Sequence, residues 1–118
     1  MGDITYKLIK KELDAAALRQ KVIAHNIANI NTKGFKRSDV VFENVLKEAI
    51  DKGETNIDSL QPKVIQDNST SMRLDGNNVD IDIEMANMAA NNILYNALIE
   101  QANVKYDILR SAINGGGK

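Results

Sequence analysis

The stretch from Met85 to Ile113, MANMAANNILYNALIEQANVKYDILRSAI, decides the fold of this chain. Met85, Met88, Tyr95, Ile99, Ala102, Tyr106, Leu109 and Ile113 recur in alternating steps of three and four, with Asn92 as the single polar step. Such a repeat is the seam of a helix built to lie along another helix. A matching seam sits at the other end of the chain, at Tyr6, Ile9, Leu13, Ala16, Ile23, Ile27 and Ile30, broken only by Gln20. The two patterns predict long terminal helices in an antiparallel, coiled-coil-like pair.

Each helix carries a second apolar stripe. At 100° per residue, Ile4, Leu8, Ala15, Leu18 and Val22 cluster roughly 140° from the first seam, and Leu94, Leu98, Ile108 and Ala112 roughly 120° from the other. A two-helix hairpin buries one stripe per helix. Leaving the second wet would forfeit on the order of 10 kcal/mol. Periodicity leaves two covers open: the middle of the chain folding back, or other molecules.

The middle offers only a little structure of its own. Phe42, Val45, Leu46, Ala49 and Ile50 share one helical face, which predicts a short helix from about 39 to 52 closed by Lys52-Gly53. From Glu54 to Arg73 the sequence is polar, contains the only proline, Pro62, and shows no sustained period, so it reads as loop with a brief strand over Lys63 to Gln66. Asp3 suits the N-cap of the first helix, Gly34 a left-handed position after it, and Phe35 a contact back onto its last turn. Asp75-Gly76 makes a turn, and Asp80 or Asp82 caps the last helix with Glu84 in its first turn. The organisation expected is a mostly α chain: an N-terminal helix within 1–34, a middle segment over 35–80, a C-terminal helix within 81–114 and a flexible tail over 115–118.

Composition narrows the function. The chain has 118 residues, no cysteine, 4% aromatics and a net charge of −1. One domain with an aliphatic core follows, without disulfides, thiolate metal sites or a field that would gather nucleic acid. Lys33, Lys36 and Arg37 form one basic cluster, read as a solvated loop. No apolar run reaches transmembrane length, and charges throughout the first thirty residues argue against a cleaved Sec-type signal. His25 is the only imidazole, so packing is its expected role. An EF-hand begun at Asp75 would need oxygen at Val79, glycine at Asp80 and a carboxylate at Ala86, so helix capping explains those acids better. No nucleophile, base and orienter set is present, and neither a catalytic site, a cofactor nor a small-molecule substrate is expected. Asn26, Asn29, Asn31 and Asn92 stand out, since asparagine in a helical seam fixes register at a cost in stability.

The run LRQKVIAHNIANINTKGF, Leu18 to Phe35, resembles the amino-terminal signature of the flagellar rod and hook family. Its motif residues here are Asn26, Ile27, Ala28, Asn29, Asn31, Thr32, Gly34 and Phe35. The following KRSDVVF with Leu46, and the distal DGNNVDIDIEMA from Asp75 to Ala86, resemble the proximal-rod branch of that family, with Asp75, Gly76, Asn77, Asn78, Val79 and Asp80 as the second motif. One departure is Lys33, where the family usually shows proline. The resemblance implies a non-enzymatic subunit of the bacterial flagellar basal body, exported by the flagellar type III apparatus and polymerised through its terminal helices. Leu8, Leu18, Val22, Leu94, Leu98 and Ile108 would then pack against neighbours. Those neighbours would be other copies of the chain, other rod proteins, the adaptor FliE, and the export gate and membrane ring. The alternative reading is a small intracellular helical bundle that binds one partner.

Overall fold

The computed structural model describes residues 4–54, 56–71 and 73–115. The N-cap expected at Asp3 and the tail at 116–118 lie outside them. Elements follow in the order α1 (Ile4–Ala28), β1 (Ser38–Val41), α2 (Glu43–Asp51), a 3₁₀ turn (Ile57–Ser59), β2 (Lys63–Gln66) and α3 (Ile81–Gly115). The long helices run antiparallel: Asn26 meets Glu84, and the Asn91 amide donates to the Ala16 carbonyl at 2.9 Å and to Gln20 Oε1 at 3.0 Å. Ala15 and Ala16 have no exposed surface, because alanine lets a neighbouring element come up against the α1 backbone.

The α1 seam is placed as its period predicts, with Ala16 and Ile23 buried and Gln20 accepting from α3. On α3 the seam is rotated. Every α3 residue that is not exposed falls on a different heptad, Glu84, Met88, Asn91, Tyr95, Leu98, Ala102, Lys105 and Leu109. Its centre lies roughly 50° from the all-apolar stripe, by the 100° step of a helix. Asn91, not Asn92, is the buried asparagine, and Leu98 belongs to the seam rather than to an outer stripe. Met85, Ile99 and Tyr106 are correspondingly exposed. The reason is polar: Glu84 and Asn91 find partners on α1 that only this rotation reaches, and a buried unpaired charge would cost more than a few exposed methylenes.

The middle segment covers one side of α1. Phe42, Ala49, Ile57 and Leu60 are buried together against Ala15, with Leu8, Val45 and Leu46 packed at the margin. The second-stripe question is thereby answered in part within the chain: Leu8 and Ala15 of α1 are covered, whereas Ile4 and, on α3, Leu94 and Ile108 stay exposed. The helix expected to start near residue 39 begins instead at Glu43, and Ser38–Val41 is a strand. Val40 and Val41 are β-branched, and the Asn26 side chain holds the Ser38 backbone extended, as detailed below. The α2 end is a Schellman motif: Glu54 N donates to Ala49 O, Gly53 N to Ile50 O, and Gly53 has φ +72°. β2 lies where expected and pairs antiparallel with β1, Ser38 opposite Gln66 and Val41 opposite Lys63.

The molecule is a blade. Its extents are 69 × 30 × 14 Å and its radius of gyration is 18.4 Å, where a globule of this length would have about 13.5 Å. It exposes 7996 Å², roughly 1,600 Å² more than a compact protein of its mass.

Between α1 and β1 the chain turns at Thr32 to Phe35, with Phe35 N donating to Thr32 O at 3.2 Å and Gly34 at φ +74°. Positive φ at the third position of a hydrogen-bonded turn is type II geometry, which favours proline at the second, here Lys33. Lys33→Pro is expected to raise stability by about 0.4–1 kcal/mol by restricting the unfolded chain. A thermal melt checks it, and a lower midpoint would show that the turn needs another backbone shape.

Candidate functional site

The two motifs, more than forty residues apart in sequence, meet at one end of the blade. Asn26 is fully buried on α1 and works in two directions. Its amide donates to Ser38 O at 2.9 Å and its Oδ1 accepts from Ser38 N at 3.0 Å, so the side chain pairs with β1 as a neighbouring strand would. The same amide donates to Glu84 Oε1 at 3.0 Å. Glu84, also fully buried, receives Arg37 Nε on its other oxygen at 2.5 Å. Arg37 then spends its remaining donors on Asp39, at 2.7 and 2.8 Å, and on Asp67 at 3.2 Å. One guanidinium therefore joins β1, the β2 exit and α3.

Asn77 makes the second tie. Its buried amide donates to the carbonyls of Asn29, Ile30 and Thr32 at 2.8 to 3.0 Å. These carbonyls belong to the turn just past the end of α1 at Ala28, so a side chain 45 residues or more away fastens that turn. Its Oδ1 accepts from Val79 N, and Asp75 Oδ1 from Asn77 N, which holds the loop in the shape that presents the amide. Asn78 accepts from Arg37 N at 2.7 Å and donates to the carbonyls of Asp67 and Ser69. Gly34 and Gly76 face each other across the join. Gly34 N donates to Asp75 O at 2.7 Å, and both glycines have positive φ, which a side chain would strain.

Most of the remaining motif residues support this junction. Phe35 sits edge-on to His25 with ring centroids 5.6 Å apart, so it does return to the last turn of α1, and the histidine packs. Thr32 Oγ1 donates to Asn29 Oδ1, and buried Val79 plugs the loop. Asp80 is the α3 N-cap, accepting from Asp82 N at 2.9 Å and Ile83 N at 3.3 Å. Ile27 is half-buried, whereas Ala28 and Asn31 are exposed and take no part. Sequence reasoning missed the centre. Arg37, assigned to a solvated loop, is the hub, and Lys36 Nζ reaches Gly76 O at 2.8 Å instead of pointing to water. Glu84 reads locally as a helix-dipole residue; the available signal was the successive seven-residue steps from Glu84 to Asn91 to Leu98.

The electrostatics follow from the geometry. Arg37 holds its proton more firmly than an ordinary arginine, first through its hydrogen bonds to Asp39, against burial, and then through Glu84. Asp67 is held below the usual carboxylate range, chiefly by hydrogen bonds from Ser69 and then by Arg37. Glu12, on the α1 face toward the middle segment, is shifted up by burial and by Glu43, with Arg19 opposing. Among the described residues no cluster of His, Asp and Glu could hold a metal ion. Leu18 and Val22 are half-buried, and Leu94 and Ile108 exposed, so these stay available to neighbours, whereas Leu8 and Leu98 are used within the chain.

The family described as flagella basal body rod protein matches residues 13–36, the second half of α1 and the turn that Asn77 caps. The flagellar basal body rod protein FlgB of Bacillus subtilis (strain 168) is 36% identical over 122 aligned residues, covering 95% of each chain. FlgB of Borrelia hermsii is 38% identical over 79% of this chain and 83% of its own. A FlgG protein of Buchnera aphidicola is 41% identical over 48% of this chain and 23% of its own length. This chain belongs to the FlgB family of flagellar basal body rod proteins.

Glu84→Gln leaves Arg37 on Asp39 and Asp67 but removes its bond to the buried carboxylate, and is expected to cost about 1.5–3 kcal/mol. Urea denaturation reads it, with exposed Asp82→Asn as a control expected to stay within about 0.5 kcal/mol. Acid dependence has a worked sign. A carboxyl lowered in the folded state stabilises fully above its ordinary value of 3.8 and loses that contribution as pH falls through the lowered one. Asp67→Asn should therefore flatten the acid limb of the stability profile. An unchanged limb would show that Asp67 is not coupled to folding.

Proposed function

We propose that this chain is a structural subunit of the bacterial flagellar basal body rod, without enzymatic activity, and that it polymerises through its two long helices after type III export. The observation that carries this reading is the surplus surface of the blade. A chain that exposes roughly 1,600 Å² beyond the compact expectation has left over about twice what one partner contributes to a standard interface, about 800 Å². Much of that surplus is apolar helix. Ile93, Leu94, Val104, Tyr106, Ile108 and Ile113 are all exposed on α3, and the chain's own middle segment packs on α1.

Family membership supports a place in the rod, and the finer setting is part of the proposal. In it the blade stands in the cell-proximal rod, the start of the axial drive shaft, beside other copies of itself and other rod proteins. FliE, the export gate and the membrane ring lie below. No helix among the described residues is long and apolar enough to cross a membrane, and the rod reading requires none. Torque passes through side-by-side helix contacts, which suits a subunit whose helices are rigidly registered at one end by the Arg37 junction. Contacts between unlike patches that do not close generate a helical tube rather than a dimer.

The travelling form follows from the uneven packing. The junction end is tied by charged and amide hydrogen bonds, while the far half of α3 has only a thin seam. We infer that the far half orders on docking, shifting its conformational entropy cost to the assembly step. Hydrogen exchange of dilute monomer is expected to show protection around Ile23, Asn26 and Glu84 and little beyond Val104. Full protection to Ile113 in the monomer would refute ordering on assembly. Separately, Leu18→Asp or Leu94→Asp should abolish rod incorporation and shrink swimming halos while the monomer stays soluble with a cooperative melt. Aggregation or unfolding of either monomer would instead favour a self-contained bundle.

A further inference from the structure

β2 ends the sheet at the rim of the blade. Going outward from α1 the order is the Asn26 side chain, β1, then β2, and both faces of β2 are exposed. Hydrogen-bond phase fixes which groups look out. Asp67 N donates to Arg37 O at 2.8 Å and Ile65 lies opposite Asp39, so Lys63, Ile65 and Asp67 turn their backbone groups toward β1. Val64 and Gln66 therefore aim their N–H and C=O groups away from it, where they meet no partner among the described residues.

The side chains carry a matching pattern. Lys63, Ile65 and Asp67 share one face of the strand, with Lys63 about 13 Å along from Asp67. Asp67 belongs to a cluster in which it, Asp39 and Glu84 surround the single guanidinium of Arg37, so that cluster keeps an excess of negative charge. Lys63 makes no ion pair among the described residues and is too far along its own strand to supply the missing cation.

We propose that β2 pairs antiparallel with β2 of a second copy, about a two-fold axis at Ile65. In this register Val64 exchanges both backbone hydrogen bonds with Gln66 of the second copy, and Gln66 with its Val64. Ile65 faces its own counterpart, and Lys63 lies opposite Asp67 at a non-hydrogen-bonded position, where side chains approach most closely. Lysine and proline ordinarily guard a free edge. Here Lys63 selects the register that sets it beside the acidic cluster, and Pro62, with no N–H to give, ends the ladder. A one-residue shift would set the outward groups against ones already used on β1. A two-residue shift either way sets Ile65 opposite Lys63 or Asp67 and takes the lysine from its carboxylate. The contact is isologous and closes at two copies, so it makes a soluble pair rather than a shaft and draws on none of the exposed α3 residues. It stands independently of the assembly reading.

The chain has no cysteine, so one introduced thiol reports the pair without background. Ile65 and Val64 are equally open, 48% and 51% exposed, but only Ile65 meets itself across the axis. Full-length Ile65→Cys, oxidised at high concentration, is expected to give the disulfide dimer about tenfold faster or more than Val64→Cys, whose diagonal counterpart lies beyond disulfide reach. Gln66→Pro removes an outward N–H and none that β1 uses, so it should slow the Ile65→Cys cross-link about tenfold with circular dichroism unchanged. Lys63→Glu, which sets a carboxylate against the acidic cluster, should do the same. Sedimentation equilibrium of the unaltered chain should show a concentration-dependent dimer that Gln66→Pro loses. Cross-linking of Ile65→Cys no faster than of Val64→Cys would overturn the pair. So would an unaltered chain that stays monomeric while Gln66→Pro abolishes rod incorporation, which would give the edge to a strand of another protein. Neither result touches the assembly reading, which the rod incorporation of Leu94→Asp tests.

Discussion

Arg37 and Glu84 form an ion pair in which the carboxylate is wholly buried, and the rest of the molecule is arranged to make that tolerable. Burying two charges is expensive, and their attraction offsets the cost only when the remaining donors and acceptors are also used. Here Asn26 takes one Glu84 oxygen, while Asp39 and Asp67 take the other Arg37 nitrogens. Each of those partners comes from a different element. The pair can be satisfied only when α1, β1, the β2 exit and α3 are all in place, so the junction acts as a register device more than as a source of stability.

That register has consequences along the whole blade. Glu84 and Asn91 are two of the α3 seam positions, and their partners on α1 set the rotation of a 35-residue helix. A rotation chosen by polar ties leaves Ile99, Tyr106 and Ile108 outside, where a rotation chosen by hydrophobicity would have hidden the first two. The exposed apolar surface is thus a product of the junction. A chain 14 Å thick cannot do otherwise, because a single layer of helices about 10–12 Å across has no interior in which to hide a second face. Surplus helix surface and blade shape are the observations on which the proposed assembly rests.

The elements themselves were largely legible. Long helices, the brief strand at Lys63–Gln66, the left-handed glycines at Gly34 and Gly53, and the Asp80 cap follow from local chemistry that operates within a few residues. The motif residues were legible too, though not their work: Asn77 reads as a turn residue until the carbonyls of the turn after α1 are brought beside it. Arg37 was the largest misreading. A basic residue beside two lysines after a helix looks solvated, and only the approach of Glu84, forty-seven residues on, makes it the hub. Ser38–Val41 was misplaced for a related reason, since its extended shape is set by the Asn26 side chain rather than by its own helical period.

Sequence alone determined that two amphipathic helices would pair and that the chain carries more apolar helix surface than one partner can cover. Those conclusions depend on residue type and spacing, which are properties of the one-dimensional string. Tertiary structure decided which of Asn91 and Asn92 is buried, which way α3 faces, and that the middle segment covers α1 but leaves α3 open. Adjacent residues on a helix differ by 100° and, when both are asparagine, not at all in hydropathy, so only a hydrogen-bonding partner from another element can choose between them.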